Sequence, residues 1–233
     1  MINAKISKII ELLPKPVVKY LARKVLGHCL DKNADITVYG KEKLKDIKSP
    51  VIFICNHLSN TDALVLEKVL RDLDPIFVAG VKLAKNATTN FGIYIIKTTP
   101  IKPNTADKEG IEKIIKILRS NGNVLMFPEG TRSRTVSMNE GQKGILLIAK
   151  MAKVPIVPIG LWGTEILMPV DPDGDMAKES FHPADVFLSI GDPFQLPKRN
   201  EGEDKHEYET RALNTMMKSI AELLPEKYRG VYS

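Results

Sequence analysis

Alternation of strand-like and helix-like segments is the feature that most limits the folds open to this 233-residue chain. Apolar runs of strand length recur between stretches whose apolar residues repeat at helical spacing. The predicted strands are Ile36–Tyr39, Val51–Cys55, Ile76–Ala79, Ile93–Lys97, Val124–Phe127, Val154–Leu161 and Asp185–Ile190. The predicted helices between and after them are Asp62–Arg71, Lys108–Ser120, Lys143–Ala152 and Lys205–Leu224. This order predicts an α/β fold with a mostly parallel or mixed sheet and helices on both faces.

Composition supports a folded globular chain. Hydrophobic residues make up 43% and charged residues 27%, which excludes disordered, collagen-like and coiled-coil classes. We expect a single α/β domain over residues 31–233, preceded by a helical appendage over residues 1–30. No run of about 18 apolar residues is present, so we expect no membrane-spanning helix. Cys29 and Cys55 are too few for a disulfide framework, which favours a reducing, cytoplasmic compartment.

Positive charge is concentrated at the amino terminus. Residues 1–30 contain six lysines and arginines against one glutamate, a net +5 of the formal +6 for the whole chain. Pro14 and Pro16 divide this part into a predicted pair of short helices, each with one apolar face. Such helices often lie on anionic membrane surfaces, although a pair that packs on the core with its basic side in solvent fits equally well. No nucleic-acid-binding motif accompanies the charge, so nucleic acid is not an expected partner.

Two polar segments follow predicted buried strands directly. Asn56–Asp62 comes after Val51–Cys55, and Phe127–Arg134 comes after the apolar residues 124–126. In open α/β sheets, ligands bind beyond the carboxyl ends of parallel strands. If the two strands are parallel neighbours, both segments open onto one crevice.

The first segment contains a histidine and an aspartate five positions apart. An imidazole can accept a proton at neutral pH, and a carboxylate on its far nitrogen would fix the tautomer. His57 and Asp62 could therefore act as a general base and its orienting partner. A structural interpretation is also open, because Ser59–Asp62 fits an acidic capping box in which Asp62 serves the helix terminus. His57 would then be a hydrogen-bonded residue at a strand end.

The second segment combines a glutamate, a glycine and two arginines. Gly130 permits a tight turn, and Arg132 and Arg134 bring cations close to Glu129. Because guanidinium groups match phosphate and carboxylate geometry, the segment suits a small anionic ligand. The alternative is a charged surface turn in which Glu129 pairs with Arg132.

Taken together, four elements resemble the glycerolipid acyltransferase family, of the 1-acyl-glycerol-3-phosphate acyltransferase (lysophosphatidic acid acyltransferase) type. Their order and spacing agree with that family from about Ile36 to Leu161. The matches are Asn-His-x-x-x-x-Asp at Asn56, His57 and Asp62, Phe-Pro-Glu-Gly-Thr-Arg-Ser at Phe127–Ser133, Lys143-Gly144, and a Val-Pro-Ile-Val-Pro strand at Val154–Pro158.

The resemblance implies a reaction and a set of roles. A fatty acyl group would move from a thioester donor, acyl-CoA or acyl carrier protein, to the free hydroxyl of 1-acyl-glycerol 3-phosphate, giving phosphatidic acid. His57 would act as general base and Asp62 would orient it, with no covalent acyl-enzyme, no cofactor and no metal. The phosphate–glycerol part of the acceptor would be bound by Glu129, Gly130, Thr131 and Arg132.

One element departs from the family pattern. The family places an arginine for the acceptor phosphate after a glycine and several apolar residues. The candidate segment here, Gly92–Lys102, contains none, so Lys97 or Lys102 would supply the cation. The alternatives to the main assignment are therefore another lysophospholipid or glycerol 3-phosphate as acceptor, or a non-catalytic lipid-binding protein on the same scaffold.

Other function classes lack their signatures. There is no Gly-x-Ser-x-Gly elbow, no phosphate-binding loop and no dinucleotide fingerprint. The four histidines are scattered, which disfavours a zinc site. A lipid acceptor favours peripheral binding of residues 1–30 to the inner face of the cell membrane, although the same charge could dock an acidic acyl carrier protein.

Overall fold

The computed structural model describes residues 14–81, 96–102, 105, 107–173 and 178–233. Its helices are α1 (Lys15–Asn33), α2 (Asp62–Val69), α3 (Lys108–Arg119), α4 (Lys143–Ala152), α5 (Thr164–Leu167) and α6 (Lys205–Ala221). Its strands are β1 (Ala34–Tyr39), β2 (Ile52–Cys55), β3 (Ile76–Gly80), β4 (Thr98–Ile101), β5 (Val124–Met126), β6 (Ile156–Trp162) and β7 (Ala184–Ile190). Short 3-10 turns occupy Lys41–Lys45, Arg71–Leu73, Glu226–Tyr228 and Gly230–Tyr232.

The described strands form one mixed sheet in the order β1-β7-β6-β2-β5-β3-β4. Strands β6, β2, β5, β3 and β4 are parallel, whereas β7 runs antiparallel to β6 and carries β1 parallel to itself. The central strand β2 lies between β6 and β5, and Ile54 is in register with Met126. The predicted α/β sheet is confirmed, and the two polar segments leave the same edge of neighbouring strands.

Helices cover both faces of the sheet, as the alternation predicts. Successive residues of β2 point to opposite sides: Ile52 and Ile54 pack with α3, α4 and α6, and Phe53 and Cys55 pack with α1 and α2. All four side chains of β2 are fully buried. Burial raises the pKa of the Cys55 thiol, and the nearby carboxylates of Asp62 and Glu129 act in the same direction.

The fourth strand and the short fifth helix differ from the sequence predictions. Residues 93–95 of the predicted strand Ile93–Lys97 lie outside the described residues, and the strand observed here is β4, Thr98–Ile101. Its Pro100 is tolerated because β4 forms an edge of the sheet. Helix α5 was not predicted because four residues are too few to show a helical period. The last helix ends at Ala221 rather than Leu224.

The amino-terminal helix packs on the sheet with one side only. The first of the two predicted helices falls within residues 1–13, outside the described residues. The second is α1, which has Pro16 in its first turn, where no intrahelical hydrogen bond is needed, and which runs through the predicted boundary at residue 30. Its inner side buries Val18, Ala22 and Leu30, and its outer side exposes Val17, Tyr20, Leu21 and Val25. Of the helices in the described ranges, none is long and apolar enough to cross a membrane.

The carboxyl-terminal turns pack against residues 138–142, the segment that precedes α4. The carbonyl of Tyr228 accepts a hydrogen bond from Met138 N at 2.9 Å, and the hydroxyl of Tyr232 accepts one from Gly141 N at 3.0 Å. Gly230 has φ +58°, and a Cβ atom there would lie 2.1 Å from the Met138 carbonyl oxygen. This close packing holds residues 138–142 in place beside the site described below.

Candidate active site

The structure brings the two polar segments into direct contact at the carboxyl edge of β2 and β5. The backbone N–H of His57 donates to Glu129 Oε1 at 2.9 Å, and the His57 carbonyl accepts from Ser133 N at 2.8 Å. These bonds extend the β2–β5 pairing beyond the strands themselves. The two predicted segments therefore lie side by side, with the imidazole on one and the Glu129–Arg132 turn on the other.

His57 and Asp62 form a hydrogen-bonded pair. His57 Nδ1 lies 2.7 Å from Asp62 Oδ2, and the same oxygen accepts from the backbone N–H groups of Leu58 at 2.7 Å and Ser59 at 2.9 Å. Because a carboxylate accepts, Nδ1 carries the hydrogen, and in the neutral imidazole Nε2 is then the nitrogen with the lone pair. Asp62 is fully buried, whereas the His57 side chain is 20% exposed. In the described parts of the chain, no hydrogen bond engages Nε2, so this atom is available to take a proton from a bound alcohol.

The contacts of Asp62 include those of both interpretations. Thr61 is the N-cap residue of α2, and its side chain makes no capping bond. Asp62 is the first helical residue, and its carboxylate turns back to donors that precede the helix. The bond from Ser59 N is one half of the predicted capping box, whereas Ser59 Oγ bonds to Thr61 N and Met168 O and leaves the other half unmade, and the same carboxylate also holds the imidazole. The Phe127 ring stacks on His57 with centroids 4.0 Å apart and fixes the ring plane from the other segment.

Glu129 is a buried connector, not a surface ion-pair partner. Only 2% of the residue is exposed. Its Oε1 accepts from His57 N, and its Oε2 accepts from the backbone N–H of Asn139 at 2.8 Å and from Asn139 Nδ2 at 2.9 Å. Burial raises the pKa of this carboxyl group, and the hydrogen bonds from Asn139 and His57 oppose that shift. Since both oxygens accept from protein donors and neither contacts Arg132, the surface-turn interpretation is wrong.

Gly130 and Thr131 form the exposed part of the turn. Gly130 has φ +70°, a conformation that glycine adopts without a steric penalty, and its N–H closes the turn onto the Phe127 carbonyl at 3.0 Å. A Cβ atom at this position would lie 3.2 Å from Gln142 Cγ. The turn therefore exposes its backbone beside the His57 segment.

Arg132 forms an ion pair that the sequence did not indicate. Its Nη1 lies 2.8 Å from Glu179 Oε1, and the side chains are 16% and 1% exposed, respectively. Glu179 Oε2 accepts a second, short hydrogen bond from Asn60 Nδ2, and Asp171 N lies 3.4 Å from Oε1. The carboxylate thus contacts both polar segments at once.

The two candidate lysines lie at opposite ends of β4. Lys97 precedes the strand, at the amino edge of the parallel strands, and pairs there with Asp74. The structure does not bring Lys97 to the site. Lys102 follows the strand at the same edge as His57, and its side chain is exposed. Since β4 is three strands from β2, Lys102 starts roughly 14 Å to the side of His57.

Side-chain amides and hydroxyls fix the His57 loop to the rest of the fold. The Asn56 amide donates to the Leu161 carbonyl at 2.7 Å and accepts from Leu161 N at 2.8 Å, so it acts as one more peptide unit between β2 and β6. Ser59 Oγ donates to the Met168 carbonyl at 2.8 Å. The loop is consequently held on both sides before any ligand binds.

Asn139 and Glu179 are the two site residues that the sequence analysis missed. Neither belongs to a recognisable pattern. The only signal near Glu179 was the Pro-, Gly- and Asp-rich stretch Pro169–Pro183, which predicts a loop without indicating a contact. Within the described residues, no group of histidine, cysteine, aspartate and glutamate side chains could hold a metal ion.

The fold and the site together define a class: an α/β protein with a hydrogen-bonded histidine–aspartate pair at the carboxyl edge of its sheet, beside an arginine-bearing turn. The family model described as Acyltransferase matches residues 35–162, more than half of the chain, and covers every element of this site except Glu179. The chain belongs to the Acyltransferase family.

Comparison with known proteins supports the same assignment. The chain is 34% identical over 143 residues to a 1-acyl-sn-glycerol-3-phosphate acyltransferase of Chlamydomonas reinhardtii, covering 58% of this chain and 40% of that protein. It is 26% identical over 204 residues to the Bacillus subtilis protein of the same name, covering 84% and 94%. The chain spans about two fifths of the length of the first curated relatives that it matches. The fold resembles that of the 1-acyl-sn-glycerophosphate acyltransferase PlsC from Thermotoga maritima, with a TM-score of 0.59, 21% identity and coverage of 90% and 79%.

Proposed function

We propose that this protein transfers a fatty acyl group from a thioester donor to the free hydroxyl of 1-acyl-glycerol 3-phosphate, giving phosphatidic acid. The observation that carries the proposal is the 2.7 Å contact between His57 Nδ1 and Asp62 Oδ2, beside the turn whose Glu129 accepts a hydrogen bond from His57 N. The names of the relatives support the acceptor and the reaction class.

The reaction needs one proton acceptor and no covalent enzyme intermediate. His57 Nε2 takes the proton of the acceptor hydroxyl as its oxygen bonds to the thioester carbonyl carbon. The C–S bond then breaks, and the imidazolium returns the proton to the leaving thiolate. Asp62 stabilises the positive charge while the imidazole holds the proton. A positioned general base typically contributes about 10²–10⁴-fold, and orientation of the two substrates supplies much of the rest.

In this proposal the acceptor phosphate binds at the Thr131–Arg132 side of the crevice. Arg132 supplies a guanidinium group that suits phosphate, and the exposed Gly130 and Thr131 leave backbone accessible to it. Glu129 positions this turn and the His57 backbone, since its two oxygens are already occupied by protein donors. Lys102 is the cation that takes the place of the missing arginine, because it lies at the correct edge of the sheet.

The outer side of α1 is the proposed membrane contact. Val17, Tyr20, Leu21 and Val25 are exposed at positions that follow the helical repeat, so they form one apolar stripe. Lys24 and Arg23 lie on the same helix and are exposed, and Arg23 pairs with Glu67 at 2.8 Å. An apolar stripe flanked by basic residues suits the cytoplasmic face of an anionic bilayer, where the lipid acceptor is found. The same basic residues suit acyl carrier protein as an alternative donor to acyl-CoA.

An acceptor panel with a fixed acyl-CoA donor tests the proposal. Thiol release and product mass are measured with lysophosphatidic acid, a lysophosphodiester, glycerol 3-phosphate and no acceptor. Release that depends on lysophosphatidic acid, with phosphatidic acid as product, is the expected result. Lipid binding without turnover, with either acyl-CoA or acyl carrier protein as donor, would instead identify a non-catalytic lipid-binding protein.

Arg132→Ala assigns the phosphate site within the same assay. The acceptor KM should rise by about tenfold or more while the donor KM stays near its original value, because only the acceptor loses a charge-assisted hydrogen bond. Equal increases in both KM values would place Arg132 outside the acceptor site.

A further inference from the structure

The buried carboxylate of Glu179 forms an ion pair with Arg132, the residue that binds the acceptor phosphate in the proposed function. Glu179 Oε1 lies 2.8 Å from Arg132 Nη1, and Oε2 accepts from Asn60 Nδ2. Asn60 belongs to the His57 segment, and Arg132 belongs to the Glu129 segment. The carboxylate therefore bridges the two polar segments and contacts Arg132, the group that an acceptor phosphate would also have to contact.

This ion pair differs from the surface pairs of the molecule. Only 1% of the Glu179 side chain and 16% of the Arg132 side chain are exposed, so solvent and salt screen the pair weakly. A carboxylate and a phosphate present similar oxygen geometry to a guanidinium group. One bond from Nη1 leaves part of the guanidinium fork free within the described residues, which is sufficient for a phosphate to make a first contact.

We propose that Glu179 is an internal competitor for the acceptor phosphate: it holds Arg132 in the unliganded protein and must release it when the acceptor binds. The inference rests on the proposed function for the identity of the ligand. As a consequence, anions that bind weakly do not displace Glu179 from Arg132. An acceptor needs the binding energy of its acyl chain in addition to that of its phosphate. Free inorganic phosphate should accordingly bind poorly to the wild-type protein.

The test is the isosteric variant Glu179→Gln, which removes the charge and keeps the size. The acceptor KM should fall by about tenfold, and the dissociation constant of inorganic phosphate, measured by calorimetry, should fall by a similar factor. The donor KM should not change. A KM that is unchanged or higher would overturn the proposal, since it would mean that Glu179 has no effect on the acceptor or itself binds it.

Three controls make the result specific. Glu209→Gln makes the same change in net charge at the pair with Lys150, a pair outside the site, and should leave phosphate binding unaltered. The double variant Arg132→Ala with Glu179→Gln should show no gain over Arg132→Ala alone. Tighter phosphate binding in Glu209→Gln than in the wild type, or in the double variant than in Arg132→Ala, would mean that the effect does not act through Arg132. Glu179→Asp keeps the charge and withdraws the carboxylate, so it should give a smaller fall in KM and serves if Glu179→Gln melts at a much lower temperature.

The calorimetric measurement separates this inference from the proposed function. If no acceptor supports thiol release but Glu179→Gln still tightens phosphate binding through Arg132, the competitor role stands and the reaction assignment fails. If transfer to lysophosphatidic acid occurs but phosphate binding does not respond to Glu179→Gln, the reaction stands and the competitor role fails.

Discussion

At the residue scale, the imidazole of His57 is the group on which the proposed reaction depends. Its ring is held by Asp62 on one side and stacked by Phe127 on another, so the remaining nitrogen has a defined direction. Few of its contacts belong to the hydrophobic core. Its removal should therefore affect the reaction far more than the fold.

His57→Ala should lower kcat by about 100-fold or more, because the proposed general base is removed. The melting temperature should stay within a few degrees of the wild-type value. His206→Ala, at an exposed histidine at the start of α6, is the matched control and should retain full activity. A well-folded His57→Ala protein with wild-type turnover would exclude the imidazole as the base.

Glu129 gives the fold a pH dependence of predictable sign. Burial raises the pKa of its carboxyl group above 4.5, so the folded chain holds this proton more tightly than the unfolded chain. The stability contributed by this group is consequently present below about 4.5 and is lost as pH rises through the raised pKa. Glu129→Gln should remove that component, which is measured as the denaturation midpoint at several pH values. The same pH slope in both proteins would show that Glu129 is not its source.

At the scale of elements, periodicity predicted most of the fold. Helix α4 was predicted with its observed bounds, and α3 to within one residue, because their apolar residues repeat over ten or more positions. Strand β4 was missed because Thr98-Thr99-Pro100 contains a residue that lacks an N–H donor, which is acceptable only at a sheet edge that sequence does not reveal. Element order alone also left the reversed direction of β7 undetermined.

Helix α1 carries the membrane prediction. Replacing Tyr20 and Val25 with serine removes two exposed apolar side chains and should leave the melting temperature almost unchanged. Sedimentation with vesicles containing anionic lipid should fall several-fold, and the binding that remains should be more sensitive to salt. Val231→Ser removes an equally exposed apolar side chain elsewhere and is the control. Equal vesicle binding by the wild type, the Tyr20 and Val25 double variant and Val231→Ser would show that the apolar stripe does not contact the bilayer.

At the scale of the whole molecule, contacts distant in sequence connect the carboxyl terminus to His57. Tyr228 and Tyr232 hold residues 138–142, Asn139 in that segment holds Glu129, and Glu129 holds the His57 backbone. The motif residues of the site were recognisable because they follow strands. Asn139 and Glu179 were not, because their contacts join irregular segments that have no period and no fixed spacing.

Two glycines with positive φ make this long-range connection testable. Gly230→Ala meets the Met138 carbonyl oxygen and should cost about 3 kcal/mol of unfolding free energy, together with a fall in kcat. Gly202→Ala has φ +74° but open space around it, so it should cost only about 1 kcal/mol and leave kcat unchanged. Chemical denaturation and turnover are measured for both. An equal loss of unfolding free energy in the two variants would mean that the carboxyl-terminal turns do not pack tightly against residues 138–142.

The burial of Cys55 at the end of β2 has a practical consequence. With no exposed surface and a raised pKa, its sulfur is shielded from alkylating reagents while the sheet is closed, whereas the partly buried Cys29 is accessible. Native protein should therefore label at one cysteine and denatured protein at both. The slow labelling rate of Cys55 would then report how often β2, the strand that leads into His57, opens locally, so a single sulfur atom reports the local stability of the site.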